Sequence, residues 1–146
     1  MTAPNYTIPI NTRNLAEGKP IEHCDINQSI KRHLELIIMT RFGEHRSDPS
    51  FGCEIWDLDF ELIISEDLWA EKLRNSMLRS ISKHETRLSH IKVDVSTRDI
   101  IRQNSYKSYT EIRKKVEIII KAAIKQTGDQ FDFTLDLYLS PLSVDR

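Results

Sequence analysis

A chain of 146 residues with 39% apolar and 29% charged side chains has the size and balance of one globular domain with a core of its own. A formal net charge of −1 gives no global field toward nucleic acid or an anionic membrane, and no apolar run is long enough to span a bilayer. The opening MTAPNYTIPINTRN lacks both the basic and the apolar segment of a signal peptide, so Cys24 and Cys53 are expected as reduced thiols in a cytosolic protein.

Residues 1–24 contain Pro4, Pro9, Pro20 and Gly18 and read as an extended N-terminal arm with little core, in which Tyr6, Ile8 and Ile10 alternate for one short strand. A single domain is expected over 25–146. Asp25 is placed to cap a helix, with Gln28 three residues on. Ile26, Ile30, Leu34 and Ile37 then recur at helical spacing, which predicts a helix from about Ile26 to Thr40 that Gly43 stops. His33 lies beside that stripe and is expected to pack or to face solvent.

Arg41 to Cys53 reads as a loop, with Pro49, Gly43 and Gly52 setting its turns. Trp56, Leu58, Phe60 and Leu62 alternate with Asp57, Asp59 and Glu61 as in a strand, whereas Ile55, Leu58 and Leu62 also fit a short helix; both readings stay open. Ser65 can cap the next helix, with Glu66 and Asp67 well placed for its dipole. Trp69, Leu73, Met77 and Ile81, extended by Ala70 and Leu78, form its apolar face to about His84. Ile91, Val93 and Val95 then alternate as a strand. Asp99 to Thr110 reads as a polar connection. Val116, Ile118, Ile120, Ala122 and Ile124 alternate, Thr127-Gly128-Asp129 turns, and Phe131, Phe133, Leu135, Leu137 and Leu139 alternate back until Pro141 ends the ladder. The expected fold is α+β: two main helices on one face of a small, mainly antiparallel sheet of about three strands, with a long C-terminal hairpin. Such a sheet has two edges, each a hazard or a docking site for another chain's strand.

Few constellations suggest catalysis. On a strand, Asp57, Asp59 and Glu61 would share a face about 7 Å apart per step, which a glycosidase could use, as could Glu54; an acidic solvent face opposite a buried Trp-Leu-Phe-Leu face explains the same residues. His23-Cys24, Cys53, His84 and His90 lack zinc-site spacing, and no metal or other cofactor is expected. The acidic run after Cys53 disfavours a thiolate nucleophile. Acids and bases are segregated, with six acids and no bases from Glu54 to Asp67 and eight bases against three acids from Arg98 to Lys125. Lys114-Lys115 has no stacking aromatics between its cations, so nucleic acid is not an expected partner. What remains is a set of charged forks where helices end: Arg41, Glu44, His45, Arg46, Glu85 and Arg87, suited to contacts with a neighbouring chain or across the fold.

Two stretches carry a family resemblance. MTRFGEHRSDPSFG, with Thr40, Gly43, Glu44, Pro49, Phe51 and Gly52, resembles the T-x-x-G-E-R-x-x-x-P-x-F-G signature of the baseplate wedge family of contractile phage tails, which includes TssE of type VI secretion systems. His45 stands where that signature more often has arginine, and Arg46 follows. Glu85-Thr86-Arg87, in HETRL ahead of a strand, resembles the family's E-P-R tripeptide with Thr86 in place of proline. The resemblance runs in element order from about Asp25 to Leu139 and implies a helix at Ile55 to Glu61. It also implies a non-enzymatic scaffold without cofactors. Arg41, Glu44, Arg46, Glu85, Thr86 and Arg87 would be its partner-binding residues, and Thr40, Gly43, Pro49, Phe51 and Gly52 its structural motif. The partners implied are TssF-like and TssG-like core-bundle proteins and TssB/TssC-like sheath subunits, in a cytoplasmic baseplate at the inner face of the envelope. The family has also been called lysozyme-like, which the acids of this sequence do little to support.

Overall fold

The computed structural model describes residues 4–58, 65–103 and 110–139. The chain begins with a small hairpin in which β1 (Asn5–Tyr6) pairs antiparallel with β2 (His23–Cys24), and α1 (Thr12–Ala16) lies between them. The strand expected from Tyr6, Ile8 and Ile10 stops at Tyr6. Helix α1, missed in the sequence, is capped by Asn11, whose side chain accepts from the amide of Asn14 at 3.2 Å. The expected first main helix is α2 (Ile26–Met39). Its Asp25 cap accepts from the Gln28 amide at 2.7 Å, and Ile30, Leu34, Ile37 and Ile38 are buried. Thr40, in extended conformation, ends it; Gly43 lies in the turn beyond.

Between Trp56's two readings the structure selects the helical one, α3 (Ile55–Leu58); residues 59–64, with Asp59, Phe60, Glu61 and Leu62, lie outside the described residues. Helix α4 (Glu66–His84) starts at Ser65, whose hydroxyl accepts from the Leu68 amide, and buries Trp69, Leu73, Met77 and Ile81. Leu78 is turned outward, whereas Ala70 packs against the core.

Three long strands follow: β3 (Leu88–Gln103), β4 (Thr110–Ile124) and β5 (Gln130–Leu139), joined antiparallel in the order β3-β4-β5. Registers such as Val95 with Ile118 and Ile118 with Leu135 bring one residue set to one face, where Val93, Val95, Val116, Ile118, Ile120, Phe131, Leu137 and Leu139 are buried. Helix α4 packs along β3, and α2 lies against α4 and reaches β5. The opposite face is polar and exposed, with Lys92, Asp94, Lys121, Asp132 and Asp136. The turn at Thr127–Asp129 returns the chain into β5, closed by the Gly128 amide on Ile124 O at 2.8 Å, with Gly128 in the left-handed region at φ 76°.

One reading is corrected. Asp99 to Thr110 is not simply a connection: β3 continues to Gln103 and β4 begins at Thr110, with Asp99 opposite Lys114 and Gln103 opposite Thr110. The described ladder of β5 ends at Leu139 opposite Lys114, and among the described residues the β3–β4 pairing runs on beyond that row. Along this part of the pair Ile100 stands opposite Arg113 and Ile101 opposite Ile112, so the apolar–polar alternation that marks a strand is interrupted while the backbone pairing persists. Pro141 lies outside the described residues.

Candidate functional site

The two stretches singled out in the sequence meet in space. Loop 41–53 leaves the end of α2 and returns beside it, with the Cys53 amide on Thr40 O at 2.9 Å and Arg41 bridged to Cys53 in parallel. Gly52 is required here: its φ is 127°, and a Cβ would stand 2.5 Å from Thr40 O. The Gly43 amide donates to Pro49 O at 2.9 Å, and Glu44 accepts from the Arg41 amide at 2.9 Å. Thr40 donates its hydroxyl to Leu36 O at 2.6 Å. The signature residues are thus the internal hinges of one folded loop.

That loop is fastened to the end of α4. Ser80 Oγ donates to Gly52 O at 2.6 Å, Lys83 Nζ donates to Ser50 Oγ at 2.6 Å, and the His84 ring lies 3.3 Å from Ser50 O. Asp48 holds the Ser50 amide and hydroxyl, and these hydrogen bonds keep its carboxyl below the usual range. Phe51, half-buried, is flanked by three imidazoles: His84 edge-on at 5.1 Å, His45 at 5.7 Å and His33 stacked at 6.0 Å. The Trp56 indole donates to Ile38 O at 3.0 Å and closes the loop's other side.

Beside Phe51 lies the charged junction. Glu85 ends α4, its amide donating to Ile81 O at 2.8 Å, and its side chain is only 2% exposed. Oε1 accepts from the amide and Nε of Arg87 at 3.1 and 2.8 Å; Oε2 accepts from Arg87 Nη2 at 2.8 Å and from His33 Nδ1 at 2.7 Å. Burial alone would push this carboxyl up; the hydrogen bonds from Arg87, then His33, outweigh it and hold the group at about 2. An ionised carboxylate only accepts, so His33 carries its proton on Nδ1. Arg87 Nη1 also reaches Ser29 Oγ at 2.8 Å and Asn5 Oδ1 at 3.3 Å, and Arg87 O accepts from the Lys125 amide at 2.9 Å. One guanidinium and its backbone therefore join α4, α2, the N-terminal hairpin and the end of β4. Thr86 is exposed in the intervening turn. With threonine where the resemblance has proline, the turn is fixed by Glu85 Oε1 capping the Arg87 amide.

Of the residues expected to meet a partner, Arg41, Glu44, Arg46 and Thr86 are exposed, Arg87 is half-buried and Glu85 is buried. Sequence reading missed Asn5, Ser29, His33, Ser80 and Lys83 as members of this site. Asn5 and Ser29 carried no signal; His33 and Ser80 each lie on the inward face of a legible helix, which was the available hint. The expected acidic–basic segregation is partly satisfied within the fold, where Lys114 pairs with Glu66 and Lys115 with Asp136. Among the described residues no group of three or more His, Cys, Asp or Glu side chains could hold a metal ion, and no helix is long and apolar enough to cross a membrane.

Comparison with known proteins places this architecture. The family model described as baseplate wedge protein gp25 matches residues 24–129. Comparison with curated proteins yields no match. Among solved structures, a Geobacter sulfurreducens protein described provisionally as a tail lysozyme superposes with a TM-score of 0.56 at 18% identity, covering 82% of this chain and 96% of its own. A chain of the baseplate complex from the type VI secretion system gives a TM-score of 0.53 at 15% identity, covering 77% of this chain and 92% of its own.

Proposed function

The chain belongs to the baseplate wedge protein gp25 family and is a baseplate component, and from that premise we propose that it is a TssE-like scaffold of a contractile injection machine of the type VI kind. In this reading it links TssF-like and TssG-like core-bundle proteins to TssB/TssC-like sheath subunits and starts sheath assembly. It does so in a cytoplasmic baseplate docked at the inner face of the envelope, with no cofactor and no catalytic step. The observation that carries the reading is the division of labour within the fold. Motif residues knit the helix ends together internally, while β3 and β5 form the two edges of the three-stranded sheet that the described residues make. An edge strand offers unpaired amides and carbonyls to another chain's strand. The exposed Arg41, Glu44 and Arg46 stand on the loop that Ser80, Lys83 and His84 fasten to α4, and Thr86 stands in the turn that Glu85 caps, which suits them to meet the core bundle.

The hydrolase alternative rests on the acids near Trp56, of which Asp59 and Glu61 lie outside the described residues; Glu85 does not add to it. A general acid at neutral pH needs a raised pKa, and Glu85, the buried one, is held low by Arg87 and His33. A wedge subunit of a phage-derived tail uses the same residues in the same way, and the likeness to the Geobacter tail protein favours it as the second reading.

Co-expression of the chain with TssF-like and TssG-like proteins tests the proposal. Stoichiometric co-purification is expected, with no peptidoglycan turnover by the purified protein. Turnover that Asp57→Asn or Asp59→Asn abolishes, without complex formation, overturns it.

A further inference from the structure

The N-terminal hairpin differs from the rest of the chain in how it is held. From Pro4 to Gln28 no residue is buried, and helix α1 contributes nothing to the core. Detaching this segment therefore uncovers little apolar surface, the condition for a part that opens locally while the domain stays folded. Its side-chain hydrogen bond to the domain runs from Arg87 Nη1 to Asn5 Oδ1 at 3.3 Å, on the same guanidinium nitrogen that serves Ser29, with Cys24 also near that guanidinium. Arg87 itself is fixed by two parallel bonds to the buried Glu85. The receiving half of the latch is thus rigid, and the half that lets go is Asn5.

We propose that residues 5–24 form a strap, latched by the Asn5–Arg87 hydrogen bond, that opens as a unit from a domain that remains folded. The strap carries Tyr6, Ile8, Ile10 and Leu15, each between 40% and 54% exposed, so opening moves four large apolar side chains together. Its internal pairing is a two-residue ladder plus the Thr7 amide on Glu22 O at 3.0 Å. A two-stranded hairpin is marginal alone, so a detached strap also loses these bonds and its amides exchange.

Hydrogen exchange on the full chain, resolved by segment, tests the latch. Asn5→Ala is expected to speed exchange of the Thr7 amide and the 5–24 segment about tenfold or more, as loss of a hydrogen bond to a charged donor predicts, with α4 and β3 unchanged. Asn5→Asp, which keeps an acceptor facing the guanidinium, is expected to restore wild-type exchange or slow it. Ser29→Ala, which removes the neighbouring contact and keeps the latch, is expected to leave the strap closed. Unchanged strap exchange in Asn5→Ala overturns the proposal, and so does an equal acceleration in α4 and β3, which would make the strap part of the global unfolding unit.

Discussion

Strand β3 begins and ends in opposite surroundings. At Leu88 it leaves the Glu85–Arg87 junction, where a buried carboxylate, a guanidinium and an imidazole are mutually satisfied and Leu88 is only 3% exposed. Toward Gln103 it pairs with β4 past the last described residue of β5, and Ile101 there is 65% exposed. The first end uses its polar groups within the fold itself; toward the second, Ile101 stands largely in water. The two ends of one strand thus differ in surroundings, and β4 pairs along both.

The comparison can be broken most forcefully at the junction. Glu85→Ala removes the carboxylate that organises Arg87 and His33, and it is expected to lower unfolding free energy in urea by about 3 kcal/mol or more, as breaking a buried pair does. Gly52→Ala should follow, at about 1–3 kcal/mol, because its φ is 127° and the new Cβ meets Thr40 O. Ser80→Ala, which leaves Gly52 O without its donor, is expected to cost about 1 kcal/mol. At the other end Ile101→Thr should change stability by no more than about 0.5 kcal/mol, since the side chain is largely in water. A variant at that end that destabilised the chain as much as a junction variant would erase the distinction.

The junction also has a pH signature. The carboxyl of Glu85 is depressed from 4.5 to about 2 in the folded protein, so its contribution is fully present above the unfolded value and is lost as pH falls from about 4.5 through 2. Equilibrium unfolding across that window should lose stability more steeply in the wild type than in Glu85→Gln, which has no proton to take up there. Parallel curves would mean that Glu85 is not the group held low.

The sequence made the helices and the core-facing strands legible because each buries one face, and burial writes a period of 3.6 or 2 into the chain. Both main helix caps, Asp25 and Ser65, were readable for the same reason of local chemistry. The outer part of the β3–β4 pair was not: in Asp99-Ile100-Ile101-Arg102-Gln103 two apolar residues are adjacent, and no period of two marks the pairing that the backbone makes. Nor could local pattern reveal that His33 meets Glu85, 52 residues away, or that Phe51 sits among three histidines drawn from α2, loop 41–53 and α4. Those contacts depend on how the helices cross. The motif resemblance pointed to two stretches that meet in the fold, and several motif residues there hold the backbone of their own loop.

Amide exchange along β3, β4 and β5, measured for the free chain and again with sheath subunits bound, tests the division most directly. The account predicts that amides next to the junction, from Leu88 on, are already protected and change little. Those of β5 and of the outer part of the β3–β4 pair should gain protection as a sheet edge acquires a partner strand. Protection gained only around the junction, with β5 and the outer pair unchanged, would contradict it.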